Sequence, residues 1–235
     1  MAIITIMGSL RGQREQNLKE IQYKLKDWIE YLEHTWAFFE EDIKKFETWV
    51  NTQNFDPNKP EDKKKLDELF TRYTLSFPHR HLSAIFMKLY VVFESELDTF
   101  NYWLKYFRHI ELDVTTEEKA KRNFDNFFLL KELFKKLNLE VNQLNPEYSR
   151  MQQFKKLRDN LAHSKENSIL SNPNDRVFRQ FLENTDGIVI TSTFIVQEGY
   201  LHSYFLHSKA IIIDLKETIS RFYEKAFDLG YGERD

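Results

Sequence analysis

Between Gln13 and Thr52 the chain has no Gly or Pro, and apolar residues recur at Leu18, Ile21, Leu25, Trp28, Leu32, Trp36, Phe39, Ile43, Phe46 and Val50. Steps of three and four are the helical period. The stretch therefore predicts one helix, on the order of 60 Å long at 1.5 Å per residue. Its opposite face carries Lys19, Glu20, Lys26, Glu30, Glu33, Glu40, Glu41 and Lys44 and is solvated. The apolar stripe must bury itself against a partner subunit or against its own chain. Asp56-Pro57 and Lys59-Pro60 oppose continuation. A short helix over about 61–75 follows, closed by Phe77-Pro78, where a soft domain boundary is expected.

The same period continues beyond residue 79. Residues 80–108 place Leu82, Ile85, Phe86, Leu89, Phe93, Leu97, Phe100 and Leu104 on one face. Residues 116–137 form the next expected helix, with Thr115 and Glu118 matching a capping box and Phe124, Phe127, Phe128 and Phe134 as core. Pro146 suits a first helical position, and that helix should reach about Asn167. Ser171-Asn172-Pro173-Asn174-Asp175 reads as a loop, followed by a short helix with Val177, Phe178 and Phe181. Residues 187–196 are rich in β-branched residues, Gln197-Glu198-Gly199 suits a turn, and 200–206 alternate as a return strand. The last helix spans about 209–229, and Gly230 and Gly232 should stop it.

Composition narrows the class. A chain of 235 residues with 41% hydrophobic content can bury a real core, as one large domain or one domain with a helical extension. Only 6 Gly and 5 Pro argue against a turn-rich all-β chain, and 21 Phe suit ring packing between helices. Cys is absent, which excludes disulfides, thiolate zinc sites and a cysteine nucleophile. No run approaches the roughly 18–20 apolar residues of a membrane span. Ile3 to Met7 is too short for a signal core. A cytoplasmic protein without membrane association is the expectation. With 34 Lys+Arg against 37 Asp+Glu, bulk charge does not suit coating of nucleic acid, although a local basic site does.

Such a site lies late in the 146–167 helix, at Lys155-Lys156-Leu157-Arg158-Asp159-Asn160-Leu161-Ala162-His163. Residues 150–167 are net +3 within a chain of net −3. A basic helix on an acidic body suits RNA docking, and it is equally what a solvated face looks like. A guanidinium holds phosphate in a fork and stays charged. An imidazole moves protons near neutrality. Together they can promote attack of a ribose 2′-OH on its own 3′-phosphate. Asp159 and His163 are four apart, so the carboxylate can orient the ring. The plainer alternative is a surface arginine and a histidine favoured by the helix C-terminal dipole.

Arg158, the polar Asp159, Asn160-Leu161-Ala162 and His163 resemble the Arg-x4-His signature of HEPN domains, over roughly residues 79–229. The resemblance implies a mainly α fold, a HEPN-like up-and-down four-helix bundle. A β-hairpin insertion at about 168–207 would precede its last helix, and residues 1–78 would be a long N-terminal helical extension. It implies a homodimer whose motif helices share a cleft. It also implies a metal-independent endoribonuclease that leaves 2′,3′-cyclic phosphate and 5′-OH ends and needs no cofactor. Arg158 and His163 would be catalytic, with Asp159 as the polar neighbour. Lys155, Lys156, Lys165 and Asn160 would contact RNA. Such proteins act as toxins or in antiviral defence, with an antitoxin or operon partner. Noncatalytic members serve as dimerisation or partner-binding modules, and others pair with nucleotidyltransferases.

Weaker candidates surround this one. Glu94 and Glu96 could hold Arg158, while an exposed pair is the plainer reading. His79-Arg80-His81 marks a helix start, and Lys63-Lys64-Lys65 a solvated face. Tyr200 and Tyr204 could stack bases, although cross-strand packing is favoured.

Overall fold

The computed structural model describes residues 10–53, 55–56, 58–123, 125–163, 176–195 and 199–231. The protein is mainly helical. Its elements are α1 (Leu10–Thr52), α2 (Pro60–Thr71), a π-helical turn (Arg72–Ser76), α3 (Phe77–Phe107), α4 (Val114–Asn123), α5 (Asn126–Lys136), a 3-10 turn (Val141–Leu144), α6 (Asn145–Ala162), α7 (Arg176–Glu183), β1 (Ile188–Ile195), β2 (Gly199–Leu206) and α8 (Ala210–Tyr231). The chain packs as two compact units. One takes the described residues among 1–26, 89–152 and 216–235, the other those among 27–88 and 153–215.

The stripe of α1 is buried or half-buried throughout, and the charged face expected opposite it is exposed. Its partner is this chain itself. In the first unit Ile21 and Leu25 are buried, the Lys24 ammonium donates to Glu96 at 2.6 Å, and Arg14 pairs with Asp228. In the second unit Leu32, Trp36 and Phe46 are buried, and Phe46 stacks on Tyr73 with ring centroids 4.0 Å apart.

Rings fill the first unit. Phe93 is fully buried against Phe127 at 5.3 Å and Phe222 at 5.4 Å, and Phe100 packs on Phe227 at 4.7 Å. The Tyr223 hydroxyl donates to the Phe93 carbonyl at 2.6 Å. Complete burial pushes that phenol well above the ordinary tyrosine range. A buried carboxylate is answered nearby, where Lys225 donates to both oxygens of Glu147 at 2.9 Å.

Gly230 does not stop α8, which runs to Tyr231. A Cβ at 230 would stand 2.8 Å from Phe100 Cζ and 2.9 Å from Leu104 Cδ2, so the glycine permits close packing. The Arg108 guanidinium donates to the Gly230 carbonyl through Nε at 3.2 Å and Nη2 at 2.9 Å, which caps the helix end. Alanine gains about 1 kcal/mol of helix propensity over glycine. Overpacking costs roughly 1–3 kcal/mol. Gly230→Ala is therefore expected to lower the melting temperature, as circular dichroism would read.

Two helix boundaries differ from expectation. The segment 116–137 is two helices. Asp113 caps α4 in place of Thr115, accepting from the Thr116 N–H at 2.7 Å, the Thr116 hydroxyl at 3.0 Å and the Thr115 hydroxyl. Asp125 caps α5, accepting from the Phe128 N–H at 3.1 Å. Phe124 lies outside the described residues. The Thr115 hydroxyl bond, then the Thr116 N–H and hydroxyl, hold the Asp113 carboxyl down at about 2. A lowered folded-state value means the cap is intact above the ordinary aspartate range, near 4, and is lost as pH falls toward about 2. The protection factor of the Thr116 amide against exchange is expected to fall across that window and to stay flat above it.

The second difference is at Phe77-Pro78. The helix does not end there, and residues 60–107 are continuously helical through the π turn. The Phe77 N–H bonds the Arg72 carbonyl, five residues back. Proline at 78 has no N–H to give, and its ring would press on the residue 74 carbonyl of a regular α-helix. A wider turn just before it relieves both problems.

The second unit centres on Leu82, Ile85, Phe86, Phe154, Leu157, Phe178 and Phe181, all buried. Phe154 bridges Phe86 at 5.8 Å and Phe181 at 5.6 Å. The expected hairpin is present: β1 and β2 pair antiparallel, from Ile188 with Leu206 to Ile195 with Gly199. Gly187, at φ +85°, accepts from the His207 N–H at 2.7 Å, a backbone conformation that favours glycine. His79 accepts from the Leu206 N–H at 3.0 Å and so ties α3 to the hairpin. Tyr204 is fully buried, which matches packing over base stacking. Its neighbours at the strand start and the turn at 196–198 lie outside the described side chains.

Candidate functional site

Helix α6 opens with Asn145-Pro146 directly after the 3-10 turn, where the missing proline N–H is not needed. It buries Met151, Phe154 and Leu157 completely. Asn160 occupies the next position of that stripe and is 8% exposed. Its Nδ2 has no hydrogen-bond partner among the described residues. An amide donor therefore stands on the apolar side of the motif, one turn from its end. The helix is described through Ala162, and residues 164–167 of its expected span lie outside the described residues.

Arg158 flanks the buried stripe. Its side chain is 24% exposed, and Nη1 lies 3.2 Å from Asp159 Oδ1. His163 is exposed just past α6, and its N–H is shared between the carbonyls of Asp159 at 3.2 Å and Asn160 at 3.3 Å. Helix geometry separates the two positions by about 7.5 Å in height and 140° in direction. The carboxylate expected to orient the imidazole lies on the guanidinium instead. Adjacent side chains at a helix surface make that pairing when the arginine folds back, and it fixes one face of the fork. The exposed imidazole lies at the C-terminal end of the helix.

Lys155 and Lys156 are half-buried. The Lys156 ammonium is 5.1 Å from the centre of the Phe178 ring, a cation–π distance. Lys165 lies outside the described residues. Glu96 is on Lys24 in the first unit, at 2.6 Å. Among the described residues no three His, Asp or Glu side chains converge as a metal site, and no helix is long and apolar enough to cross a membrane.

No family model, curated protein or solved structure matches the chain. At the end of α6 the residues amount to a permanent cation beside a neighbouring carboxylate, an imidazole just past the last helical residue, and a buried amide donor between them in sequence. Such a set can bind a phosphodiester and move one proton.

Two features escaped the sequence reading. The π turn left no composition signal beyond Pro78 itself. Lys63, Lys64 and Arg80 line one groove with Arg72, beyond the solvated face and helix start that their spacing alone predicts. The available signal was the His79-Arg80-His81 run directly after a proline, with Arg72 eight residues before Arg80.

Proposed function

We propose that the protein is a HEPN-type, metal-independent endoribonuclease that works as a homodimer in toxin or antiviral-defence systems. The observation that carries this reading is the part-buried guanidinium of Arg158 and the exposed imidazole of His163 on the last turns of one helix. Arg158 would bind the scissile phosphate and stabilise charge as the 2′-oxygen attacks. His163 would take the 2′-OH proton or donate to the leaving 5′-oxygen. Bond formation from the 2′-oxygen to phosphorus and loss of the 5′-oxygen balance without a co-reactant. A second motif helix from the partner would supply the complementary acid. The test is cleavage of labelled single-stranded RNA by the full chain in excess chelator. Arg158→Ala should abolish it with an unchanged circular dichroism spectrum, and undiminished cleavage would refute the reading.

A second reading is a noncatalytic partner-binding module. It is favoured by the face of α3 that bears Val91, Tyr102 and Tyr106, which are 54%, 62% and 53% exposed. Large apolar side chains on one exposed helix face suit a protein interface. Under this reading Tyr102→Ser with Tyr106→Ser abolishes self-association in sedimentation, and Arg158→Ala leaves it intact.

A further inference from the structure

Two adjoining grooves surround the π-helical turn in the second unit. One, of 970 Å³, is lined by Lys63, Lys64, Arg72 and Arg80, with Asp67 and Glu68 as its carboxylates. The other, of 790 Å³, is walled by Phe38, Phe39, Tyr73 and Phe77, with His81 and the carboxylate of Asp42 beside them. Phe77 and Arg80 belong to both. Each volume is in the range of small-molecule sites.

Four cations facing two carboxylates stand out in a chain of net −3. Among the described residues no ion pair occupies Lys63, Arg72 or Arg80, and Lys64 reaches Glu68 only at 4.0 Å. The π turn explains the alignment. Arg72 and Arg80 are eight residues apart, which a regular helix would splay by about 80°. A π turn absorbs one extra residue, so the two stand like residues seven apart, within about 20°.

The aromatic groove has a polar end. His81 Nε2 is 3.0 Å from Thr35 Oγ1. The single proton of that hydroxyl points to the Tyr31 carbonyl at 2.8 Å. In the tautomer that fits this geometry Nε2 donates to the hydroxyl oxygen, which leaves Nδ1 as a lone-pair acceptor. Burial pushes the imidazole below its ordinary value, which keeps it neutral. An unprotonated nitrogen in an aromatic groove accepts a hydrogen bond from an amino or imino group.

The geometry points to a binding site for a nucleoside phosphate. Arg72 and Arg80 hold the phosphate with Lys63 and Lys64, and the base lies among Phe38, Tyr73 and Phe77. A simple anion has no use for the aromatic walls, and an apolar ligand none for the cations. Arg80, common to both grooves, sits where base and phosphate join. Guanidinium forks suit phosphate oxygens, and base stacking on aromatic rings tolerates any base. Neither Arg158 nor His163 lines either groove, so the site stands apart from the ribonuclease reading.

The test is calorimetric titration of the full chain at low salt with ADP, inorganic pyrophosphate, adenosine and an eight-nucleotide single-stranded RNA. ADP should bind at least about tenfold more tightly than pyrophosphate or adenosine, since each lacks one half of the ligand. Phe38 is 58% exposed, so Phe38→Ala should fold normally and erase the advantage over pyrophosphate. Arg80→Ala should erase the advantage over adenosine. RNA that binds more tightly than ADP and weakens with Phe38→Ala assigns the ligand to a polynucleotide, and the reverse order to a free nucleotide. Absence of ADP binding overturns the proposal, as does binding unchanged in both variants with circular dichroism matching the parent.

Discussion

Phe93→Ala is expected to destabilise the protein by about 3–5 kcal/mol, the range for deleting a large buried ring. Phe93 is fully buried and lies within 5.7 Å, centroid to centroid, of Tyr90, Phe127, Phe222 and Tyr223. Removing it opens a cavity whose walls belong to α3, α5 and α8 at once. No single side chain can rotate to fill it, so the full cavity penalty applies. At roughly 2–4 °C per kcal/mol for a chain of this size, the thermal midpoint should fall by about 6–20 °C. Phe38→Ala, at an exposed ring, should move it by only about a degree, within the surface-substitution range. Equal shifts for the two variants would show that the ring cluster is not what holds the first unit together.

The second large effect concerns catalysis. Under the proposed ribonuclease reading, His163→Ala would lower RNA cleavage by about 10²–10⁴-fold, the usual contribution of one positioned acid or base. His163 is exposed at the end of α6 and makes only backbone hydrogen bonds among the described residues. Its loss should therefore change the folding stability by no more than about 0.5 kcal/mol. Arg158→Ala should lose a comparable factor, and Arg158→Lys should not recover it, because an ammonium cannot reproduce the planar fork. Asp159→Asn isolates the neighbour. The carboxylate lies 3.2 Å from the guanidinium, so its loss should alter substrate affinity through Arg158 more than turnover.

The sequence was most legible where spacing alone decides. The stripes of α1 and α3 emerged at the expected residues, because steps of three and four over many turns leave no other solution. Legibility failed where several local signals compete. Pro78 reads as a terminator, yet a π turn lets the helix pass it. Asp113, Thr115 and Thr116 are all good caps within four positions, and the carboxylate took the end because it accepts three bonds at once. Gly230 carries the signature of a helix stop, while its role depends on Phe100 and Leu104, distant in sequence. At the candidate site the motif residues were found by pattern. The pairing of Asp159 with Arg158 was not, since i,i+4 geometry with His163 looks better on a helical wheel than an adjacent fold-back. The grooves at the π turn depend on tertiary packing of α1 against α2 and α3, which no local pattern encodes.

The chemistry of the product ends tests the central claim most directly. Full-length protein is incubated with labelled single-stranded RNA in excess EDTA, and the termini are identified by enzymatic end-group assay. Under the proposed ribonuclease reading, attack by the 2′-oxygen, helped by Arg158 and His163, would leave 2′,3′-cyclic phosphate and 5′-hydroxyl ends. Intact RNA, or fragments with 3′-hydroxyl and 5′-phosphate ends, would contradict it.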